Sequence, residues 1–326
     1  MAVFPASIPS PPISSFEVGP LTIHFYALCI LTGIVIAVWL TQRRLSRRGA
    51  ESGLVLDVAL WAVPFGIVGG RFYHVVTHPG DYFFPGANLL KTLYVWEGGL
   101  AIFGAIIFGG IGAYIACRRR GLRFTAFADA LVPGLLFAQA FGRFGNYFNH
   151  ELFGGPTTLP WGLQIESTNA AFPPGLPAGT LFHPLFLYEM IWNTIGAFLI
   201  IYLERRLRLH SGRTLALYFI WYGVGRAWFE SLRLDPTEFV YLGLKANVIA
   251  ALLLAVLGVI VLVVQARRHV PRPDGPYLPG RGPAARADAV AASDQTAEIA
   301  SPDESGAAHV GAPPAPPVAS GEDPQP

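Results

Sequence analysis

The sequence predicts an all-α integral membrane protein with seven transmembrane helices. Of its 326 residues, 52% are hydrophobic and only 13% are charged, which is too apolar for a soluble domain of this length. Seven stretches of about 20 apolar residues follow one another, and this is the helix length that crosses the roughly 30 Å hydrocarbon core of a bilayer. Arginines cluster in alternate connectors, as expected for a chain that crosses a membrane repeatedly.

Each apolar stretch is interpreted as one span, and the charges of the connectors give the orientation. The spans run at about 22–40, 54–70, 100–116, 125–142, 184–203, 214–231 and 241–264. Connectors that face the cytoplasm retain Lys and Arg. Arginine clusters follow the first, third and fifth spans, namely Arg43, Arg44, Arg47 and Arg48, then Arg118, Arg119, Arg120 and Arg123, then Arg205, Arg206, Arg208 and Arg213. The N-terminus is therefore predicted to lie outside and the C-terminus in the cytoplasm.

The chain divides by composition into three parts. Residues 1–21 form an external N-terminal segment and residues 22–266 the seven-span domain. Within that domain, residues 143–183 contain aromatic and leucine residues with Gly-Pro turns, and we expect a small folded external cap. Residues 267–326 are rich in Pro, Ala, Gly, Ser and acidic residues, so they are predicted to be a disordered cytoplasmic tail.

Charged residues near apolar helices indicate where chemistry could occur. Each costs about 2.5–3.5 kcal/mol in a span, so it usually faces a wet interior or a partner. The densest segment is GRFGNYFNHELFG, Gly142 to Gly154. If it continues as helix, Arg143, Asn146 and His150 share a face. The plainer interpretation is a polar helix end at the membrane interface.

A second polar stripe follows the sixth span. Tyr222, Arg226, Glu230 and Arg233 recur every three or four residues in YGVGRAWFESLR. Arg226 and Glu230 could simply neutralise each other. Two arginines from different spans, however, are suited to a phosphodiester, because guanidinium binds phosphate oxygens bidentately and keeps its charge.

Three further segments complete the polar residues expected in the outer half. HPLFLYE opens the fifth span and contains His183, Tyr188 and Glu189, while Tyr26 lies in HFYAL and Trp96 opens WEGGL. His183 alone is more often a hydrogen-bonded structural residue. No metal site or cofactor is expected, and the net charge of +2 gives no sign of nucleic-acid binding.

The Gly142 to Gly154 segment resembles the signature of bacterial prolipoprotein diacylglyceryl transferases. HPLFLYE, YGVGRAWFESLR, HFYAL and WEGGL occur in the order of that family, so the resemblance covers about residues 20–265. It implies a cytoplasmic (inner) membrane enzyme whose active site faces the outer leaflet and the surrounding membrane lipids. Phosphatidylglycerol would be the donor and the lipobox cysteine of a prolipoprotein the acceptor. The implied reaction forms a thioether, releases glycerol phosphate and needs no cofactor.

The resemblance also implies roles for individual residues. Arg143, Asn146, Tyr222 and Arg226 match positions that the family uses for donor binding and catalysis. Glu151, Gly154 and Tyr26 match further functional positions of the family. We therefore expect Arg143, Arg226, Glu151 and Tyr222 to be catalytic, and Arg143, Asn146, Gly154, Tyr26 and Arg226 to bind substrate.

One position departs from the family, and it bears on the thiol base. Phe103 stands where many members have a histidine. A thiol is already partly ionised at neutral pH, so a strong base is not obligatory. Glu151 or His150 could take the proton. Two other classes stay open as alternatives: a membrane transporter, which would need a midplane site, and a non-catalytic phospholipid-binding protein.

Overall fold

The structure is a computed structural model that describes residues 7–169, 171–234, 240–241, 243–268 and 273–300. Eight long α-helices lie in this described part. They are α1 Phe25–Ser46, α2 Leu54–Thr77, α3 Ile102–Arg119, α4 Phe124–Phe148, α5 Leu185–Leu207, α6 Arg213–Leu232, α7 Ala246–Arg267 and α8 Pro283–Ala300. The seven predicted stretches thus correspond in order to α1–α7, with ends that differ by several residues.

Six helices of the described part are long and apolar enough to cross a membrane, namely α1 to α5 and α7. The helix at the sixth predicted span, α6, is not among them. It carries Arg226 and Glu230 together with several Trp, Tyr and Gly residues, which lower its mean hydropathy. The protein is therefore a mostly helical chain with several potential spans.

Close packing between helix pairs depends on small residues, as in other helical membrane proteins. Helix α1 packs along α4, α2 along α3, and α6 along α7. At the α1–α4 contact, a Cβ on Gly33 would lie 3.0 Å from the Cα of Ala138, and one on Gly134 would lie 2.9 Å from the Cα of Ala37. These glycines allow the two backbones to approach, which positions the C-terminal end of α4.

A pair of tryptophans joins α5 to α6. The rings of Trp192 and Trp221 stack with centroids 4.2 Å apart. Each indole nitrogen donates to the backbone carbonyl of the other tryptophan at 3.3 Å. Because an indole N–H needs a partner when it is removed from water, this reciprocal arrangement fixes the α5–α6 register next to the polar residues.

Short strands are a departure from the predicted all-α fold. Three small antiparallel sheets occur in the described residues: β1 Ser15–Val18 with β2 Leu21–His24, then β3 Pro156–Thr157, β5 Leu181–Phe182 and β4 Leu163–Gln164 in that order, then β6 Val240–Tyr241 with β7 Leu244–Lys245. The first predicted span began at residue 22, but residues 22–24 pair with the preceding strand and helix starts only at Phe25.

The segment between α4 and α5 has its own small core. Phe153, Leu163, Ile165 and Phe182 are buried together, with Phe186 of α5 beneath them. The central strand β5 pairs with both β3 and β4. This segment therefore folds over the ends of α4 and α5.

The described part of the predicted disordered tail is not without contacts. Tyr277 is buried against the α1–α2 connection, and its hydroxyl accepts a hydrogen bond from the backbone N–H of Glu51 at 3.0 Å. Leu278 N donates to Gly121 O at 2.7 Å, and Arg123 N donates to Pro276 O at 2.8 Å. One aromatic ring thus contacts the helical part from within the predicted tail, and helix α8 follows it along the chain. Residues 269–272 and 301–326 of the predicted tail lie outside the described residues.

Candidate functional site

The C-terminal end of α4 carries the first arginine of the site. Arg143 Nε lies 2.8 Å from Oε2 of Glu189, which α5 contributes. Arg143 Nη1 donates to Oδ1 of Asn146 at 3.3 Å. Because helix α4 runs to Phe148 rather than ending at residue 142, Arg143 and Asn146 share a helix face as the sequence predicted. The guanidinium is thereby held by two helices.

Asn146 connects this arginine to Glu151. The Asn146 amide nitrogen donates to Oε1 of Glu151 at 2.8 Å, and the Asn149 amide nitrogen donates to the same oxygen at 3.1 Å. Asn146 is buried. The chain Arg143, Asn146, Glu151 is therefore a connected hydrogen-bond network in which Glu151 orients Asn146 and Asn146 orients Arg143.

The second arginine lies on α6 beside a buried carboxylate. Arg226 Nη2 is 2.7 Å from Oε2 of Glu230, whose side chain is only 2% exposed. The same oxygen pairs with Arg233 Nη1 at 3.2 Å, and the amide nitrogen of Asn247 donates to Oε1 at 3.1 Å. The ion pair expected between Arg226 and Glu230 is therefore present. It uses only one of the two terminal guanidinium nitrogens of Arg226.

Both arginines line one cavity of about 50 Å³ between α4, α5 and α6. Its lining consists of Gln139, Arg143, Glu189, Trp192, Asn193, Tyr222, Gly225, Arg226 and Phe229. Within the described part of the chain, two buried side-chain atoms have no hydrogen-bond partner, and they are Nη1 of Arg226 and Oε1 of Gln139. Since buried polar groups are normally satisfied, a cationic donor without a partner in this cavity indicates an anion-binding position.

His150 does not lie on the Arg143 face, because the helix on which that expectation depended ends before it. Helix α4 ends at Phe148 and His150 has a positive φ of 51°, which turns its side chain towards the segment after the helix. Its Nδ1 is 3.0 Å from Oε2 of Glu166, and its Nε2 is 2.9 Å from the carbonyl oxygen of Pro11. Both ring nitrogens are therefore occupied, one by the cap and the other by the N-terminal segment.

Gly154 and Tyr26 are not among the residues that line the cavity. Gly154 N donates to the carbonyl oxygen of His183 at 2.9 Å, and its backbone forms a bridge with Arg233. A Cβ at Gly154 would lie 2.9 Å from the Cβ of His183. Tyr26 packs against Gly145 of α4, where an added Cβ would lie 2.8 Å from its ring. Both residues hold the elements that carry the arginines.

Comparison with known proteins shows the family of the chain. The sequence model described as prolipoprotein diacylglyceryl transferase matches residues 13–264, which is most of the chain. The chain belongs to the prolipoprotein diacylglyceryl transferase family. The match spans all the polar segments described above, from Tyr26 to Arg233.

Relatives within this family are similar over most of their length. A phosphatidylglycerol–prolipoprotein diacylglyceryl transferase of Leifsonia xyli subsp. xyli is 59% identical over 291 residues, which cover 86% of this chain and 87% of that protein. One of Bifidobacterium longum is 50% identical over 270 residues, covering 79% and 85% respectively. The phosphatidylglycerol–prolipoprotein diacylglyceryl transferase 2 of Streptomyces coelicolor is 46% identical over 300 residues, which cover 91% of this chain and 92% of that protein.

Phe103, the residue for which the family resemblance led us to expect histidine, is not among the residues that line this cavity. Its side chain is 49% exposed on α3. Its nearest ring neighbour is Tyr73 of α2, with centroids 6.3 Å apart. Arg71 of α2 is used structurally, because its guanidinium donates to the carbonyl oxygens of Lys91, Thr92, Gly98 and Gly99.

Six lining residues were absent from the predicted site, and they are Gln139, Glu189, Trp192, Asn193, Gly225 and Phe229. Helical spacing offered a signal for two of them. Gln139 precedes Arg143 by four residues, and Asn193 follows Glu189 by four residues, so each pair shares a helix face. Applying that spacing to the family motifs would have added both polar residues.

Proposed function

We propose that this chain transfers the diacylglyceryl group of phosphatidylglycerol to the thiol of a prolipoprotein cysteine. The observation that carries the proposal is Nη1 of Arg226, a buried cationic donor without a described partner in a cavity that Arg143 also lines. A phosphodiester oxygen would satisfy that donor. The names of the relatives supply the donor and acceptor classes.

The cavity can take an oxygen of the donor's phosphate and is too small for the whole lipid. About 50 Å³ is the space of one or two water molecules. The acyl chains must therefore extend away from the cavity, between the helices and into the bilayer. Arg143 and Arg226 would then lie on either side of the phosphate, each keeping its glutamate partner through another guanidinium nitrogen.

The reaction makes one bond and breaks one bond. The cysteine sulfur forms a thioether bond with the glyceryl carbon, the bond between that carbon and the phosphate oxygen breaks, and glycerol phosphate leaves with both bonding electrons. The thiol proton is released. Negative charge grows on the departing phosphate, and preorganised cations stabilise such charge in the transition state. Arg143 and Arg226 have this role in our proposal, and Tyr222 lines the same cavity as a hydroxyl donor.

The thiol proton has a candidate acceptor in Glu151. His150 is engaged by Glu166 and Pro11 through both ring nitrogens, which makes it a poor acceptor. Glu151 accepts from Asn146 and Asn149 through Oε1. A second role for Glu151 is to orient Arg143 through Asn146. We assign Glu151 that positioning role first, because a thiol needs only modest help to ionise.

We further propose seven spans in the cytoplasmic (inner) membrane, with the N-terminus outside and the C-terminus in the cytoplasm. Counting helix α6 as a span brings the total to seven. Its charged residues Arg226 and Glu230 pair with each other, Glu230 also accepts from Asn247, and Arg226 lines the cavity, so these charges avoid lipid. The arginine connectors after α1, α3 and α5 then lie inside. This orientation places the Arg143 cavity towards the outer leaflet.

The test is direct transfer by the purified full chain. It is incubated with phosphatidylglycerol and a peptide that contains a lipobox cysteine, and the peptide mass is followed. We expect a diacylglyceryl mass increase, and none with a peptide whose cysteine is replaced by serine. A phospholipid with a choline headgroup is the donor control. A folded protein that binds phosphatidylglycerol but produces no mass increase would favour the alternative of a non-catalytic phospholipid-binding protein.

The other alternative, a membrane transporter, has less support. A transporter needs a site near the middle of the membrane between repeated halves. The polar network described above lies at the C-terminal ends of α4 and α6 and at the start of α5. Flux of phosphatidylglycerol across liposomes without peptide lipidation would favour the transporter.

A further inference from the structure

A second polar cavity occurs at the other end of α4. It has a volume of about 660 Å³ and is lined by side chains from the end of α1, the start of α4 and the end of α5. Five arginines line it: Arg47, Arg48, Arg123, Arg205 and Arg208. Since Arg143 lies near the C-terminal end of α4 and Arg123 precedes its N-terminal end, the two cavities are separate.

Most acidic groups of this basic cavity already have partners. Glu204 pairs with Arg44 and with Arg48, the latter at 2.6 Å. The carboxylate of Asp129 accepts hydrogen bonds from the backbone nitrogens of Gly212 at 2.8 Å and Leu215 at 3.0 Å. These groups stabilise the ends of α5 and α6. They leave Asp274 as the remaining acidic side chain of the lining.

Four of the five arginines are uncommitted. Arg47, Arg123, Arg205 and Arg208 make no guanidinium hydrogen bond or ion pair with any residue that the structure describes. Four such cations against the single carboxylate of Asp274 leave the cavity strongly positive. An anion with several oxygen acceptors is therefore the ligand class that fits, and phosphate is the commonest biological example.

An adjoining groove identifies the kind of phosphate compound. It has a volume of about 390 Å³, and its lining combines the apolar residues Trp39, Leu40 and Ile201 with the charged residues Arg43, Arg44, Arg47, Arg48, Glu204 and Arg205. It shares Arg47, Arg48, Glu204 and Arg205 with the basic cavity, so the two adjoin. An apolar wall on two membrane-length helices beside an arginine cluster matches an acyl chain joined to a charged headgroup. A soluble phosphate would not need the groove.

The arginine bias of cytoplasmic connectors does not by itself account for this arrangement. Orientation depends on how many Lys and Arg residues lie near the span ends. It does not require three connectors to direct their arginines into one cavity beside a groove that also exposes Trp39, Leu40 and Ile201. Arg206 illustrates the difference, because it adjoins Arg205 on α5 yet lines neither the cavity nor the groove.

We infer that this basic cavity and groove bind an anionic phospholipid of the inner leaflet, with its phosphate among Arg47, Arg123, Arg205 and Arg208. One acyl chain would lie against Trp39 in the groove. The inference rests on the proposed orientation, which places the ends of α1 and α5 at the cytoplasmic interface. It adds a second lipid site, distinct from the donor site in residues and in position, with no part in the transfer chemistry.

The experiment titrates the detergent-purified full chain with phosphatidylserine and counts bound lipids by native mass spectrometry. Replacing Arg47, Arg205 and Arg208 together with Gln should raise the dissociation constant for phosphatidylserine by about tenfold or more, because juxtamembrane arginines each contribute to binding of anionic lipid. Arg205→Gln alone should raise it less, and the neighbouring Arg206→Gln should leave it within about twofold of the value for the unchanged protein. The comparison is repeated in an Arg226→Gln background to remove the donor site.

The remaining measurements identify the ligand and allow for a variant that does not fold. Phosphatidylcholine should bind more weakly than phosphatidylserine, and glycerol phosphate should displace the lipid poorly. The lipid assignment is overturned if glycerol phosphate competes as tightly as the lipid, if the triple variant binds normally, or if Arg206→Gln loses as much binding as Arg205→Gln. If the triple variant is unstable, Arg205→Gln against Arg206→Gln carries the test.

Failure of the donor-site proposal would be recognised separately. Peptide lipidation that is absent while phosphatidylserine binding still depends on Arg205 would reject the proposed transfer and leave this site intact. The converse result, normal lipidation with binding that is insensitive to all these arginines, would reject the inner-leaflet site alone.

Discussion

Replacing Arg226 by lysine tests whether this guanidinium has two simultaneous tasks. In the structure, Nη2 pairs with Glu230 at 2.7 Å while Nη1 is buried in the cavity without a described partner. Lysine has one nitrogen and can serve the glutamate or the phosphate. Losing one charge-assisted hydrogen bond costs about 1.5–3 kcal/mol, so we expect Arg226→Lys to lower the transfer rate about 10- to 150-fold.

The assay measures peptide lipidation and the amount of folded protein in the membrane for each variant. Arg143→Lys should behave similarly, since Arg143 also lines the cavity while pairing with Glu189. Arg233→Lys is the matched control, because Arg233 pairs with the same Glu230 but is outside the cavity lining. Near-normal transfer in Arg226→Lys, with Arg226→Ala lost from the membrane, would refute the clamp and leave a purely structural ion pair.

Three further predictions follow from the packing around the site. Phe103→Ala should leave transfer within about threefold of normal per folded molecule, because the ring is exposed and outside the cavity lining, whereas a chemical role would cost at least about tenfold. Gly154→Ala should lower the free energy of unfolding by about 1–3 kcal/mol, because the added Cβ would lie 2.9 Å from the Cβ of His183. Burial alone would raise the pKa of Glu166, but a backbone hydrogen bond and the His150 ring lower it overall. The stabilisation it gives the cap is therefore present above the carboxyl's ordinary pKa of about 4.3 and is lost as the pH falls through the lowered folded value.

Each of these three has its own control. Gly155→Ala should leave the melting temperature unchanged, because nothing lies within 4 Å of an added Cβ there. Equal destabilisation at Gly154 and Gly155 would contradict the steric argument. For Phe103→Ala, complete loss of turnover in a folded, donor-binding variant would reveal a chemical role. Limited proteolysis of the cap between pH 6 and pH 3 should show less acid sensitivity in Glu166→Gln, and an unchanged pH profile would argue against the His150 pair.

Helices α1–α7 could be predicted from the sequence because each is a long apolar run with charged residues at its ends, whereas α8 is polar and lies in the segment predicted to be disordered. Their boundaries were harder. Residues 22–24 continue the first apolar run, but they pair with Ser15–Val18 in a hairpin, and such pairing depends on residues outside the run. At the other extreme, the ordered contact of Tyr277 comes from a single aromatic residue in a polar, Pro-rich segment, which composition averages conceal.

The sequence also led to both arginines of the site, while their surroundings needed three dimensions. Arg143 and Asn146 were linked by helical spacing, and the structure brings them into hydrogen-bonding distance. The pairing of Arg143 with Glu189 joins two helices and has no local pattern. His150 shows the limit of periodicity, because a helix that ends two residues earlier sends its side chain into the cap.

The position of the donor's phosphate is the most direct test of the account. An experimental structure of the full chain with phosphatidylglycerol would give the distance from the phosphate oxygens to the guanidinium groups of Arg143 and Arg226. We predict a phosphate oxygen within about 3 Å of Nη1 of Arg226, the length of a charge-assisted hydrogen bond. A well-ordered lipid whose phosphate lies away from both arginines, with their glutamate pairs unchanged, would contradict the central claim.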